Sequence, residues 1–319
     1  MSGTTRRSVL KTGLVFACCG MSHARLALAQ SRPGDPLPVK QIADGVFAFA
    51  GIPAMMNNQN DGEICNVSFI IGDEAVAVID SGGSAVEGKA LIGAIRARTD
   101  RPIRYLINTH MHPDHLFGNA AFESTGAIIV GHRNLPRALE SRGAYYLQSY
   151  RDAMGDDLMA DIRIVPPTKL VTDEEELDLG NRKLTLKAWK PAHTDNDLSV
   201  FDHKTDTFFT GDLCFIGHLP TMDGSLLGWI AQLDILNGIK AKSAVPGHGP
   251  IPSPWPQALE AERRYFDVLA SDMRKAIADG VPMSDAVKSA AQRERANWML
   301  FDEYNQRNAT AAFAELEWE

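Results

Sequence analysis

Seven residues, Thr109-His110-Met111-His112-Pro113-Asp114-His115, narrow sharply what this chain can be. Four side chains able to ligate a metal (His110, His112, Asp114 and His115) fall within six positions, at spacings of two, two and one. They follow residues 103–108 (IRYLIN), an apolar, β-branched run that reads as a buried strand. If the strand's alternation runs on, His110 and His112 leave on one side. Pro113 then breaks the ladder, and the loop carries Asp114 and His115 to a second position. Imidazole and carboxylate are ligands that Zn²⁺ accepts with room left for water. One loop holding two such groups suggests two metals side by side.

The chain has 319 residues, 45% of them hydrophobic and 23% charged, which is ample material for a core. No apolar run is long enough to cross a bilayer. A formal charge of −8 and the lack of a Lys/Arg stripe argue against a nucleic-acid footprint. Residues 1–29 read as an export signal: a basic start with Arg6, Arg7 and Lys11, a short apolar stretch, and Ala27-Leu28-Ala29 before cleavage at Gln30. The paired arginines resemble a twin-arginine signal, which exports folded proteins and implies a periplasmic location. Removing this segment takes the charge to about −12, an acidic mature chain. Only Cys65 and Cys214 remain, and two separately buried thiols are expected. Without a CxxC pair there is no cysteine-rich zinc module.

Residues 30–38 read as a polar, Pro-rich linker. Residues 39–51 alternate around Asp44-Gly45, a hairpin signal. Two further strands follow at 65–72 and 75–80, then an amphipathic helix at 84–99 and the strand before the metal-ligating loop. A short strand at 127–130 and a mostly helical stretch at 135–157 close the first half. The second half holds strand pairs at 175–189 and at 198–202 with 207–211, a helix at 225–238 and a strand at 241–246. From Pro256 to the end it is almost all helix. Strands and helices alternating in each half predict an α+β chain of two mixed sheets covered by helices on their outer faces.

Three later motifs continue the site: Pro191-Ala192-His193-Thr194, Thr210-Gly211-Asp212 and Pro246-Gly247-His248-Gly249. Each sets one ligand-capable side chain on a turn at a strand end. Singly, each reads as a capping or packed residue; together with the first motif they read as ligands. In that order, THMHPDH, PAHT, TGD and PGHG resemble the metallo-β-lactamase fold hydrolases. The resemblance implies an αββα sandwich over residues 39–254, with residues 255–319 a helical extension packed on the same domain. It implies a first zinc on His110, His112 and His193, and a second on Asp114, His115 and His248. Asp212 would bridge the two Zn²⁺ ions, and Asp80, in VIDSGG, would orient a ligand histidine.

Two zinc ions sharing a water lower its pKa towards neutrality. The implied reaction is attack by that hydroxide, facing Asp114, on a thioester, lactone or other acyl bond of a small molecule. The aspartate in TGD is unlike the β-lactamases that ligate through cysteine, and looks like glyoxalase II and its relatives. Residues 211–230 and 297–319 look like exported SoxH-type proteins, also called quinoprotein relay system zinc metallohydrolases, which links the chain to a periplasmic quinoprotein or sulfur-oxidation pathway. The same fold leaves open a β-lactamase, a mononuclear-iron persulfide dioxygenase and a non-catalytic metal-bound pathway component. No anion-binding cluster stands out, so a neutral or weakly charged acyl group is expected. His132, His203 and His218 follow no ligand spacing, His218 lying nearest the site. Met55 and Met56 read as an apolar lid or a packed loop. The C-terminal aromatic residues read as core or dimer contacts.

Overall fold

In β4 (Val76–Ile79) successive side chains enter opposite cores, Val76 and Val78 one, Ala77 and Ile79 the other. That alternation, which a fully apolar strand permits, is the key to the layering. The computed structural model describes residues 34–319, and the export signal expected at residues 1–29 lies outside them. The first sheet runs in chain order: β1 (Lys40–Ala43), β2 (Val46–Phe49), β3 (Val67–Ile71), β4, β5 (Ile103–Ile107), β6 (Ile128–His132) and β7 (Lys169–Val171). Its first four strands pair antiparallel and its last four parallel. The second sheet is β8 (Glu174–Asp178), β9 (Lys183–Ala188), β10 (Leu198–Asp202), β11 (Thr207–Phe215) and β12 (Ser243–His248), antiparallel except for the β11–β12 pair.

Nine helices occur among the described residues: α1 (Ala85–Arg96), α2 (Pro113–Leu116), α3 (Asn119–Phe122), α4 (Leu135–Ser149), α5 (Arg151–Met159), α6 (Leu226–Asn237), α7 (Glu260–Ala278), α8 (Met283–Ser289) and α9 (Phe301–Leu316). Helix α1 covers the outer face of the first sheet through Leu91 and Ile95, capped at its start by Ser84. Helices α6, α7 and α9 cover the second sheet around Trp229, Phe266 and Phe313. Between the sheets lie Ile70, Ile79, Ile107, Leu186, Val200 and Phe209. The result is α+β, an αββα sandwich of two mixed sheets flanked by helices. None of the described helices is long and apolar enough to cross a membrane.

Several expectations shift on inspection. The segment expected as a linker ends packed, with Leu37 buried against α1 and its N–H donating to Ala90 O at 2.9 Å. Strand β7, three residues long, is not apparent in the sequence. β5 stops at Ile107, so His110 and His112 reach the site from an extended loop, not from a continuing strand. Pro113, expected only to break the ladder, is the first residue of α2, where its missing N–H costs nothing. Cys65 and Cys214 are buried and separate, as expected.

Arg182, in the β8–β9 turn, ties the sheets together. Its Nε and Nη2 grip Asp202 at 3.0 and 2.6 Å, and its Nη1 donates to Ile71 O, at the end of β3, at 2.9 Å. Both charged side chains are fully buried. Asp202→Ala would strand a buried guanidinium, and should cost about 3–5 kcal/mol of stability in chemical denaturation. A loss under 1 kcal/mol would show that the pair does not join the sheets.

Candidate metal centre

The parallel strands β4, β5 and β12 and the long strand β11 bring their ends to one edge of the sandwich, and every ligand-type residue sits there. His110, His112, His193 and Asp212 form one group; Asp114, His115 and His248 form a second, each with its ligand atoms within 4.8 Å of one another. Asp212 lies between them. Its Oδ2 is 3.6 Å from His110 Nε2, 3.3 Å from His193 Nε2 and 3.5 Å from His248 Nε2, while its Oδ1 is 3.1 Å from His115 Nε2. Asp114 Oδ2 is 3.2 Å from His248 Nε2 and 3.5 Å from His115 Nε2. All seven residues singled out in the sequence therefore meet. Only His112 and Asp114 keep 13% and 12% of their side chains exposed, so the cluster opens on their side.

The outward nitrogen of each imidazole meets an acceptor. His115 Nδ1 faces Asp80 Oδ2 at 2.8 Å, His193 Nδ1 faces Thr221 O at 2.6 Å, His248 Nδ1 faces Ile64 O at 3.0 Å, and His112 Nε2 faces Asp223 Oδ2 at 3.1 Å. None of these oxygens can donate, so each outward nitrogen carries the proton. His110 Nδ1 meets Thr109 Oγ1 at 3.0 Å, whose own proton is committed to Asp80 Oδ2 at 2.8 Å. Five imidazoles thus turn an inward nitrogen with a free lone pair towards one another once the site is neutral. His110 Nε2, His115 Nε2 and Asp212 Oδ1 are buried without a well-directed hydrogen bond. A donor set of five imidazoles and two carboxylates, with orphaned inward atoms, fits a pair of divalent cations.

The backbone is shaped for this. Gly211 has φ +53°, and a Cβ there would lie 2.7 Å from Thr109 Cβ. A Cβ on Gly247 would lie 1.8 Å from Asp212 Oδ1, so only glycine leaves that carboxylate its place. Asn66 holds the turn that carries His248, donating to Pro246 O at 2.8 Å and Gly249 O at 3.0 Å. Asp197 caps the His193 turn by accepting from Thr194 N and Thr194 Oγ1.

Some of this was not legible in the sequence. Asp223 has no motif, yet besides His112 it meets Arg142 Nη1 at 2.6 Å and Arg307 Nη2 at 3.0 Å. With 43% and 53% of their side chains exposed, both guanidinium groups flank the open side, where no anion-binding cluster was expected. The C-terminal helix, expected as core or dimer surface, reaches the site. Asn308 of α9 donates to Pro220 O at 2.7 Å and accepts from Met222 N at 3.0 Å, gripping Thr221 from both sides. Tyr304 of α9 lies with its ring 5.5 Å from that of His218 and its hydroxyl on Met55 Sδ at 2.9 Å. Met56 is buried and Met55 is 42% exposed, so the two methionines divide between packed loop and rim. His218 stacks on His248 at 4.9 Å, while His132 is a buried strand residue accepting from Asn134 N. His203 pairs with Thr185 on the surface.

Without cations the cluster holds extra protons. Burial opposes charge on His248, but Asp212 and Asp114 outweigh it and bring its pKa up to about 9. The same contest, won by Asp212 with Cys65, Asp114 and Asp80, lifts His115 well above the ordinary range. Burial would raise Asp114, but His115 and His248 hold it at about 2. Burial, only partly offset by Asp212, pushes His193 down to about 3, and burial joined by the charge on His115 takes His110 well below its usual value.

Comparison with known proteins places this geometry. Residues 60–248 match the Metallo-beta-lactamase superfamily, and the chain belongs to it; its members are generally hydrolases. Among curated relatives is a "Beta-lactamase-like protein 2 homolog" of Caenorhabditis elegans, 23% identical over 219 residues (67% of this chain, 64% of that one). The linear primary-alkylsulfatase of a Pseudomonas strain is 21% identical over 234 residues (62% and 44%). The human acyl-coenzyme A thioesterase MBLAC2 is 23% identical over 204 residues (60% and 68%). The chain thus spans less than two thirds of the first two. A metallo-beta-lactamase from Pontibacter korlensis superposes with TM-score 0.58 at 18% identity, covering 72% of this chain and 98% of that one. A variant of the sec-alkyl sulfatase PisA1 gives 0.64 at 13%, covering 86% and 49%. Both likenesses are of fold.

Loading the cluster at neutral pH must expel a proton from each of His115 and His248. Zinc titrated into metal-free protein should release protons, and apparent affinity should fall by up to about tenfold per pH unit for each displaced proton as pH drops below about 9. Calorimetry in buffers of different ionisation enthalpy measures this. Binding independent of pH between 6 and 9 would remove these histidines from the ligand set.

Proposed function

We propose that the chain is a dinuclear zinc hydrolase of acyl bonds, with a thioester or lactone of a small molecule as substrate. One observation carries the reading: seven donors converge, and the outward nitrogen of every histidine among them is already tied. In this assignment His110, His112 and His193 would hold one ion and Asp114, His115 and His248 the other, with Asp212 within reach of both groups. Two divalent cations so bound supply Lewis acidity and a water of lowered pKa. The chain's own residues do the rest. Asp114, ionised and on the open side, keeps its other carboxylate oxygen, Oδ1, to accept a hydrogen bond from a water and orient it. Asp80 and Asp223 keep His115 and His112 in place. Tyr304, its pKa raised by burial and then by Asp114, stays a neutral donor at the rim.

The thioesterase relative supports an acyl substrate. A second reading, a sulfate ester, draws on the alkylsulfatase relative and on the half-exposed Arg142 and Arg307, which suit an anion. Asp114→Ala should lower the second metal's occupancy while the first is retained, and turnover of acyl thioesters should fall at least 100-fold by analogy with lost ligands in related chemistry. Metal analysis beside a panel of thioesters, lactones and sulfate esters decides. One iron per chain with oxygen consumption, or equal loss of both ions, contradicts the proposal. With no acyl-enzyme, burst kinetics should be absent and a chelator should abolish turnover.

We place the chain on the SoxH-like branch and in the periplasm, exported folded, on the strength of residues 211–230 and of Arg6 and Arg7. Changing Arg6 and Arg7 to Lys should leave uncleaved precursor in the cytoplasm, seen by fractionation. Normal export would make the pair incidental.

A further inference from the structure

A cavity of about 390 Å³ adjoins the cluster and shares with it one ligand-type residue, His248. Its walls include Pro53, Ile64, Ile216 and Met299, with His218 and His248 among them. Apart from the two imidazoles, none of its lining residues is ionisable. His248 is common to both spaces, its Nε2 3.2 Å from Asp114 Oδ2. The cavity therefore borders the cluster at one of its ligand-type residues.

The surroundings give the occupant a direction. Met299 is 47% exposed, yet its backbone is fixed, its N donating to Gly217 O at 2.8 Å and its O accepting from Leu219 N at 2.9 Å. A flexible thioether on a fixed backbone suits chains of variable shape. From His218 the apolar rim continues through Tyr304 to Met55, also nearly half exposed. The opposite flank, beside His112, is charged: Asp223, Arg142 and Arg307. A bond cleaved at the cluster has one arm on each flank, and only the His248 side accepts hydrocarbon without stranding a charge.

We propose that this cavity binds the acyl arm of the substrate as an unbranched hydrocarbon chain, with the polar leaving group lying towards His112 and the arginines. The inference deepens the acyl-hydrolase reading and rests on it. The volume falls within the range of small-molecule sites, about 300–1,000 Å³. Each methylene buried is worth ~0.8 kcal/mol, roughly fourfold in kcat/KM, until the cavity is full.

The test uses the zinc-loaded protein and p-nitrophenyl esters from acetyl to dodecanoyl. Expected is a rise of about fourfold per methylene through the shorter chains, then a plateau. Ala50→Trp, which fills the cavity from its wall, should flatten the series; Met299→Ala, at an exposed position, should move the plateau to longer chains. Metal content and circular dichroism check that both variants fold. A series flat with chain length, or variants that leave its shape unaltered, overturns the inference while leaving the hydrolase reading intact. If no ester is turned over, the series is repeated with acyl thioesters and lactones, and no turnover of any of them sinks the hydrolase reading. Calorimetry of butanoate to decanoate on the metal-free protein then decides the cavity: affinity rising with chain length supports it, and no binding or length-independent binding overturns it.

Discussion

The carboxylate of Asp80 fixes the geometry on which the whole site depends. It sits at the end of β4 with φ +59°, a conformation costly for a residue with a side chain. In that pose it is buried, and it accepts from Thr109 N at 2.8 Å, Thr109 Oγ1 at 2.8 Å and His115 Nδ1 at 2.8 Å. Thr109 Oγ1, its proton spent, can then accept from His110. One side chain thus sets the tautomer of a histidine in each half of the cluster. A buried carboxylate is tolerable only when its lone pairs are filled, and here the filling partners are the very groups that must be oriented.

Around this anchor, the sandwich works as a frame that spaces strand ends. β4, β5 and β12 deliver Asp80, the 108–115 loop and His248 to one edge, and β11 brings Asp212 beneath them, with Gly247 leaving room for its carboxylate and Gly211 for Thr109. The sheets hold each other through the apolar layer between them and through Arg182 on Asp202. Rigidity of this kind keeps seven donors from four separate segments within reach of one another.

How much of this the sequence discloses depends on range. His110, His112, Asp114 and His115 are legible because they crowd one loop, and His193, Asp212 and His248 because a Gly or Pro marks each turn. The mixed, layered fold follows from the alternation of elements. Asp223 and Asn308 are not legible. An aspartate in TMDG and an asparagine inside a helix carry no local signal, and their roles lie in contacts far along the chain, Asp223 with His112 and Arg142, Asn308 with the backbone of residues 220 and 222. β7 escapes for a similar reason: three residues make a strand only because β6 lies beside them. Contacts made across the fold leave little trace in neighbouring letters.

Helix α9 lies beyond the stretch that matches the superfamily, yet it grips the loop bearing Thr221 through Asn308, pairs Asp223 through Arg307, and caps α6 through Glu315 on Ser225 and Leu226. During synthesis this helix emerges after every ligand. Until it docks, the loop whose Thr221 and Asp223 face His193 and His112 lacks the Asn308 and Arg307 contacts that brace it. The last helix of the described fold thus acts as a buttress for a centre to which it lends no ligand.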